Sequence, residues 1–546
     1  MNETPAAGSL PAGSVTRASR VVCRQRHARH ERAARALLIA AAVVVLHAAS
    51  VLPAAAAPCE DLNALPLSGG AVTGATVVAA GAFSLLDGPG GPVSAAFASL
   101  PAFCRVAATL RPTTDSDIRI EVWLPAVGWN GKFQAVGNGG WAGVIPYSSL
   151  ARAVAAGYAS AGTDAGHTGN TAAFAPGHPE KVIDMAYRAV HEMTVHAKAI
   201  IAAYYGNPPT LSFWNACSTG GRQGVTSAVR YPTDFDAIVA GAPAVDWMRL
   251  HAGRIAMNRT VNKTPTHVIP REKYGMVHAA TLNACDALDG VRDGVMENPR
   301  ACSFDPQVLQ CKGTDGAECL SAPQVETARA FYSPVTHPVT GEIVMPGLER
   351  GTELSWATLG GPQPLGNAVE AFRYAVHENP SWDWRHFNLV TDLELSDTAH
   401  GGALASADAN LKPFFDRGGK LLMYHGWSDP QIPPGNTIAF FDRVVEIAGR
   451  DAVGTSVQLY MVPGMNHCGG GSGTDSFNSM RAVEQWVETG EAPSRINASR
   501  IVNGIVDRTR PLCPYGQSAF WDGKGNPNDA DSFACVAGLE TPTSVR

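Results

Sequence analysis

Leu211-Ser212-Phe213-Trp214-Asn215-Ala216-Cys217-Ser218-Thr219-Gly220-Gly221-Arg222-Gln223-Gly224 passes from an apolar run, through a serine among small residues, into a stretch that reads as a helix. This is the strand–serine–helix layout Gly-x-Ser-x-Gly, with Ala216 in place of the first glycine. Small neighbours are required because the serine of such an elbow sits in a sharp, strained turn. The turn places its hydroxyl at a helix N-terminus, where backbone N–H groups face developing negative charge. A serine between strand and helix also serves as a plain helix cap. Reading Ser218 as a nucleophile therefore depends on partners elsewhere in the chain.

Strand signals stand at 118–124, 132–136, 158–162, 211–215, 237–242, 420–424 and 457–462. The first, IRIEVWL, alternates polar and apolar residues as a half-exposed strand does. Helical spacing occupies 181–205, 220–230, about 434–448 and about 475–489. Alternating strands and helices predict a mostly parallel sheet covered on both faces. Between 247 and 415 the alternation stops, and the segment carries four cysteines with many Gly and Pro. It reads as a lid domain inserted into a sheet domain built from 58–246 and 416–546. There is no internal repeat.

A serine hydroxyl needs a base, and the base needs an orienting carboxylate. In α/β-hydrolase folds these follow in the order Ser, Asp or Glu, His. The run at 420–424 ends in His425-Gly426-Trp427-Ser428-Asp429-Pro430, and the run at 457–462 ends in Pro463-Gly464-Met465-Asn466-His467-Cys468-Gly469. Asp429 and His467 thus each follow a strand, in the required order. His425, His400 and Asp164 are the competitors. The expected oxyanion donors are the N–H of Thr219, just after the serine, and that of Gly139 or Gly140 in the glycine-rich loop after 132–136.

The 546 residues are 45% hydrophobic and 16% charged, enough apolar material for a large core and too much for a disordered chain. Arg17, Arg20, Arg24, Arg26, Arg29, Arg32 and Arg35 precede an apolar run at 36–52 and then Pro53-Ala54-Ala55-Ala56-Ala57. Those are the three parts of a bacterial secretory signal peptide, expected over 1–57. The formal charge of −6 becomes −11 once seven Arg and two Glu leave with it. No basic stripe suits nucleic acid, and no later run is long enough to span a bilayer. The mature protein is therefore expected in the periplasm or outside the cell, with no membrane partner. Ten cysteines remain, which in an oxidising compartment read as five disulfides. Proximity in sequence favours Cys59–Cys104, Cys285–Cys302, Cys311–Cys319 and Cys513–Cys535. Cys217 and Cys468 are left over, and they adjoin Ser218 and His467. A working triad brings those two neighbours within the Cα span of about 4.4–6.8 Å that a disulfide needs.

Within the insertion, Cys285-Asp286-Ala287-Leu288-Asp289-Gly290-Val291-Arg292-Asp293-Gly294-Val295 gathers three aspartates and two glycines. Hard oxygen ligands on a tight loop suit calcium, with the carbonyls of Val291 and Val295 completing the shell. The spacing is not that of an EF-hand. Nearby cysteines that pair as disulfides argue against zinc.

The arrangement Cys217-Ser218, Asp429, His467-Cys468 resembles the CS-D-HC pattern of the tannase and feruloyl esterase family, over most of the chain from Cys59 to Cys535. The resemblance implies an α/β-hydrolase fold with a large lid and a structural calcium ion in the lid. It also implies a secreted serine esterase acting on a small aromatic ester, feruloyl or galloyl, with no organic cofactor. Terephthalate half-esters are taken by similar bacterial hydrolases, and Arg249, Arg254 and Arg373 are the candidates to hold such a free carboxylate. Trp247, Trp356, Phe372, Tyr374, Trp382 and Trp384 are the candidates to stack on the acid. Another acyl hydrolase on the same fold, and an inactive calcium-dependent binding protein, stay open as other readings. Oligomeric state is not legible.

Overall fold

The apolar runs of the chain pair into one large sheet in the computed structural model, which describes residues 56–85, 95–405 and 408–537. The expected leader lies outside the described residues up to residue 55. Ten strands make the sheet: β1 (Pro66–Leu67), β2 (Gly70–Val78), β3 (Phe103–Leu110), β4 (Ile118–Pro125), β5 (Lys132–Val136), β6 (Ala159–Thr163), β7 (Leu211–Cys217), β8 (Ala237–Gly241), and, beyond a short pair β9 (Val335–Thr336) and β10 (Ile343–Met345), β11 (Lys420–Gly426) and β12 (Val457–Val462). Their spatial order is β1-β2-β3-β4-β6-β5-β7-β8-β11-β12. The pairs from β6 through β12 are parallel, and β1 to β4 add an antiparallel edge.

Parallel strands covered on both sides need apolar residues at every position. β8 and β12 are accordingly buried throughout. Alternate residues point to opposite faces: Ile238, Leu421 and Leu459 pack into one core cluster, and Val239, Leu422 and Tyr460 into another. α2 (Ala189–Tyr205), α3 (Thr219–Arg230) and α8 (Pro434–Ala448) cover the first face. α1 (Tyr147–Ala155) and α9 (Ser479–Thr489) cover the second. This is the α/β-hydrolase fold.

Three details differ from the sequence reading. β4 is buried almost throughout rather than half exposed, because Glu121 points inward and is engaged by Arg105, by Trp123 Nε1 at 2.8 Å and by the Tyr147 hydroxyl at 2.9 Å. The helix expected at 181–205 begins at Pro179 and widens into a π-helical stretch at Asp184–Arg188 before α2. The helix expected from about 475 begins at Ser479, capped by Asn478.

The inserted segment carries α4 (Trp247–Val261), α5 (Tyr274–Cys285), α6 (Ala322–Tyr332) and α7 (Leu389–Thr398). Its core is centred on Phe331, Trp356 and Phe372 and extends to Trp141, Val182 and Met185 of the sheet unit. Ala409, Leu411 and Phe414 already pack into the sheet's core, a few residues before the expected return at 416. Five disulfides pair Cys59–Cys104, Cys217–Cys468, Cys285–Cys302, Cys311–Cys319 and Cys513–Cys535. The chain ends in two hairpins, β13 (Ile496–Val502) with β14 (Ile505–Leu512) and β15 (Gln517–Trp521) with β16 (Phe533–Ala537). Among the described residues no helix is long and apolar enough to cross a membrane.

Gly224 on α3 shows how tightly the elbow helix lies on the sheet. A Cβ there meets Trp214 Cδ1 at 2.5 Å and Ile238 Cγ2 at 3.0 Å, and Trp214 is fully buried. Gly224→Ala is expected to cost about 1–3 kcal/mol by overpacking. Denaturant titration checks this, and an unchanged midpoint contradicts it.

Candidate active site

Ser218 joins β7 to α3 with φ 65° and ψ −127°, a strained conformation for any residue but glycine. Its N–H donates to Gly241 O at 2.9 Å, and its own carbonyl accepts from Ala244 N at 3.1 Å. Both contacts bind the turn to the end of β8. Gly220 is required because a Cβ there lies 2.5 Å from Ala216 Cβ and 3.1 Å from Asn138 O. Ala216 fits where the motif has glycine only because Gly220 yields that space.

β11 and β12 deliver the partners. Asp429 is fully buried beyond the end of β11. Its Oδ1 accepts from the N–H groups of Gln431 at 2.8 Å and Ile432 at 3.0 Å. Its Oδ2 accepts from His467 Nδ1 at 2.6 Å and from His425 Nε2 at 3.1 Å. Burial pushes this carboxyl up, but the charge of His467 and the hydrogen bonds from the two histidines outweigh it and hold the group well below the usual carboxylate range. Asp429 is therefore an anion. With Nδ1–H committed to that anion, His467 Nε2 is the acceptor that faces Ser218 Oγ at 2.9 Å.

Cys468 follows His467 with φ 61° and is bonded to Cys217, Cα to Cα 6.0 Å. The bridge stitches the serine turn to the histidine loop. In front of Ser218 runs the loop 137–143. Asn138 is locked from three sides: its N–H donates to Gln223 Oε1 at 3.0 Å, its Oδ1 accepts from Gln223 Nε2 at 3.1 Å, and its Nδ2 donates to Val144 O and Thr163 O. Thr219 opens α3, so its N–H lacks an intrahelical acceptor. Thr219, Gly139 and Gly140 line the same cavity as Ser218 and His467.

Sequence reasoning did not single out Gln223 or Thr437. The signal for Gln223 is a lone amide on a helix face of small residues, Thr219, Gly220, Thr226 and Ser227. Thr437 Oγ1 lies 2.7 Å from His425 Nδ1. Since His425 Nε2 faces two acceptors, Asp429 and Ile432 O at 3.0 Å, it carries the proton, and Nδ1 accepts from Thr437. His425 thus touches Asp429 rather than the serine. The other competitors lie apart. His400 is bonded to Ala375 O at 2.7 Å. Asp164 accepts from Arg119 N and Gly166 N.

The cavity over Ser218 has a volume of about 1410 Å³. Of the aromatic candidates only Trp247 lines it. Trp356 and Phe372 are fully buried in the insertion's core, with Trp382 packed against Phe372 and Tyr374 against the same cluster. Trp384 stacks under Arg385. Of the three arginines only Arg254 lines it. Arg249 is paired with Glu342 at 2.8 Å, and Arg373 Nε donates to Trp382 O.

The aspartate loop sits between α5 and the C-terminal hairpins. Asp286 and Asp289 are buried. A Cβ on Gly290 would lie 2.3 Å from Trp521 O, and Val291 packs with Cys513, Ala519 and Phe533. Burial, then the charges of Asp293 and Asp286, push the Asp289 carboxyl up to about 7, and burial holds the Glu297 carboxyl well above its ordinary value. Arg510 and Arg508 reach Asp293. The buried carboxyl oxygens of Asp286 and Asp289 are hard donors of the kind a divalent cation takes, so these residues fit calcium by donor chemistry, while Asp293 is engaged by two arginines. Among the described residues the one set of three ligating side-chain atoms within 4.8 Å of one another is that of Cys311, Asp315 and Cys319, and two of these are the sulfurs of one disulfide.

The family model described as tannase and feruloyl esterase matches residues 104–536. The chain belongs to this family. It is a carboxylic ester hydrolase, as its relatives are. An uncharacterised esterase of Xanthomonas campestris is 38% identical over 534 residues, covering 88% of this chain and 92% of that protein. A probable feruloyl esterase B-1 of Aspergillus flavus is 32% identical over 456 residues, covering 79% of this chain and 86% of that protein. The crystal structure of feruloyl esterase B from Aspergillus oryzae superposes with a TM-score of 0.82 at 29% identity, over 88% of this esterase and 99% of that chain.

Replacing Cys217 and Cys468 together by Ser frees both strained loops of this esterase. The expected result is a loss of about 2–5 kcal/mol of stability. Activity is expected to fall about a hundredfold, the effect of an ångström-scale misplacement. Thermal unfolding and ester kinetics measure the two, and full activity in the double variant contradicts the role given to the bridge.

Proposed function

We propose that the protein is a secreted serine esterase that hydrolyses esters of aromatic acids, feruloyl or galloyl, through an acyl-enzyme. The observation that carries this reading is the unbroken hydrogen-bonded chain Asp429–His467–Ser218, opening into a cavity that Tyr158, Tyr424 and Phe477 also line.

Ser218 Oγ attacks the ester carbonyl while His467 Nε2 takes its proton. Asp429 holds the imidazole by Nδ1 and stabilises the imidazolium. The oxyanion is received by the N–H of Thr219 and by that of Gly139 or Gly140, a loop held in place by the Asn138–Gln223 pair. His467 then passes its proton to the leaving alcohol. Water, activated by the same imidazole, releases the acid. The intact chain of three residues argues against an inactive binding protein. Secretion is supported by the five disulfides, which need an oxidising compartment.

In the insertion, Asp286, Asp289 and Asp293 with the carbonyls of Val291 and Val295 are the residues to hold a structural calcium ion. Bound there, the ion supplies charge neutralisation that ties α5 to the C-terminal hairpins.

Ser218→Ala is expected to lower kcat on methyl ferulate and methyl gallate by at least about 10⁴-fold, leaving the melting temperature within a few degrees of the parent. Retained turnover excludes Ser218 as nucleophile. Exhaustive chelation is expected to lower the melting temperature, and added calcium to restore it. A melting curve indifferent to both refutes the cation site.

A further inference from the structure

A second cavity, of about 270 Å³, lies where the inserted segment joins the sheet unit. The elbow helix α3 lines it with Arg222 and Arg230. The crossover into the insertion lines it with Asp246, just before α4, and the returning chain with Ala403 and Asp408. It shares no lining residue with the cavity over Ser218.

Arg222 is only 5% exposed. Its Nη1 donates to Ala186 O at 3.2 Å, while its Nε and Nη2 have no partner. The guanidinium lies over the Trp247 ring at 4.3 Å, and Trp247 in turn lines the cavity over Ser218. Burial lowers the basicity of Arg222 to about 10, and no acid works against that shift. A buried cation with unpartnered donors is costly until an anion meets it. The other charges around the cavity are engaged elsewhere. Arg230 lies over the Tyr187 ring at 4.0 Å. Asp408 Oδ1 accepts from Asn410 N at 2.8 Å. Asp246 Oδ2 accepts from Arg443 Nη2 at 2.7 Å, but its Oδ1 is buried without a donor. The wall thus combines unpartnered donors on Arg222 with one unpartnered acceptor on Asp246. A bare oxyanion satisfies the first and is repelled by the second. An oxyanion that also carries a hydroxyl satisfies both.

We infer that this cavity is a second binding site, for a small oxyanion bearing a hydroxyl group. Arg222 donates to the anionic oxygens, and Asp246 Oδ1 accepts from the hydroxyl. Hydrogen phosphate and a hydroxylated organic acid share that chemistry, and the test separates them. The site does not depend on the esterase reading of the cavity over Ser218.

Isothermal titration calorimetry of the intact protein, at neutral pH and fixed ionic strength, compares two pairs of probes. Phosphate is set against sulfate, the same tetrahedron without a proton, and 4-hydroxybenzoate against benzoate. In at least one pair the hydroxylated anion is expected to bind about tenfold or more tightly than its control. The pair that shows the preference identifies the source. Arg222→Gln is expected to weaken that binding about tenfold or more. Asp246→Asn suits the left-handed backbone at that position, φ 52°, and so preserves the fold. It is expected to bring the ratio within the pair to about one. Absence of a preference in both pairs overturns the proposal, and so does undiminished binding in Arg222→Gln. A preference that survives Asp246→Asn overturns it even where Arg222→Gln does not fold.

Discussion

The site depends on one meeting of backbones. β7 and β12 end at the same edge of the sheet, separated by β8 and β11, and each runs into a loop with a residue in left-handed conformation, Ser218 and Cys468. Neither loop is at rest in that shape. The Cys217–Cys468 bond and the Ser218 N–H to Gly241 O contact hold them there. Because the bridge joins the residue before the serine to the residue after the histidine, it fixes Oγ relative to Nε2 through only a few rotatable bonds. The strain is held by the sheet's rim rather than by the inserted segment.

Asp429 illustrates how burial and charge are balanced. A fully buried carboxylate is tolerable only because four donors face it, two from its own loop and two from histidines. The second histidine, His425, is held in one tautomer by Thr437. The orientation of His467 thus derives from a network that reaches back into α8.

Much of this was legible in the sequence, for identifiable reasons. Parallel strands in a covered sheet must be apolar throughout, so β8, β11 and β12 stand out as runs, and the residues after them are the ones at the rim. The spacing of cysteines left one distant pair, and the sheet brings that pair together. What was not legible follows from side-chain direction. β4 looks half exposed because Glu121 is polar, yet three donors draw it inside. Trp356 and Phe372 look like a binding platform by composition, yet they form the insertion's own core. Arg249, Arg254 and Arg373 are equivalent in sequence. Only their placement along and beyond α4 separates a surface ion pair, a cavity wall and a loop brace. The packing of the C-terminal hairpins on the aspartate loop has no local signal, since contacts such as Gly290 with Trp521 join residues far apart in the chain.

The central claim is that Ser218 carries the acyl group. Rapid acid quenching during turnover of a slowly deacylating aromatic ester, followed by peptide mass spectrometry, tests it most directly. The account predicts one acyl adduct, on the peptide that contains Ser218. Steady hydrolysis with the adduct on another residue, or with none under conditions where acylation outpaces deacylation, contradicts it.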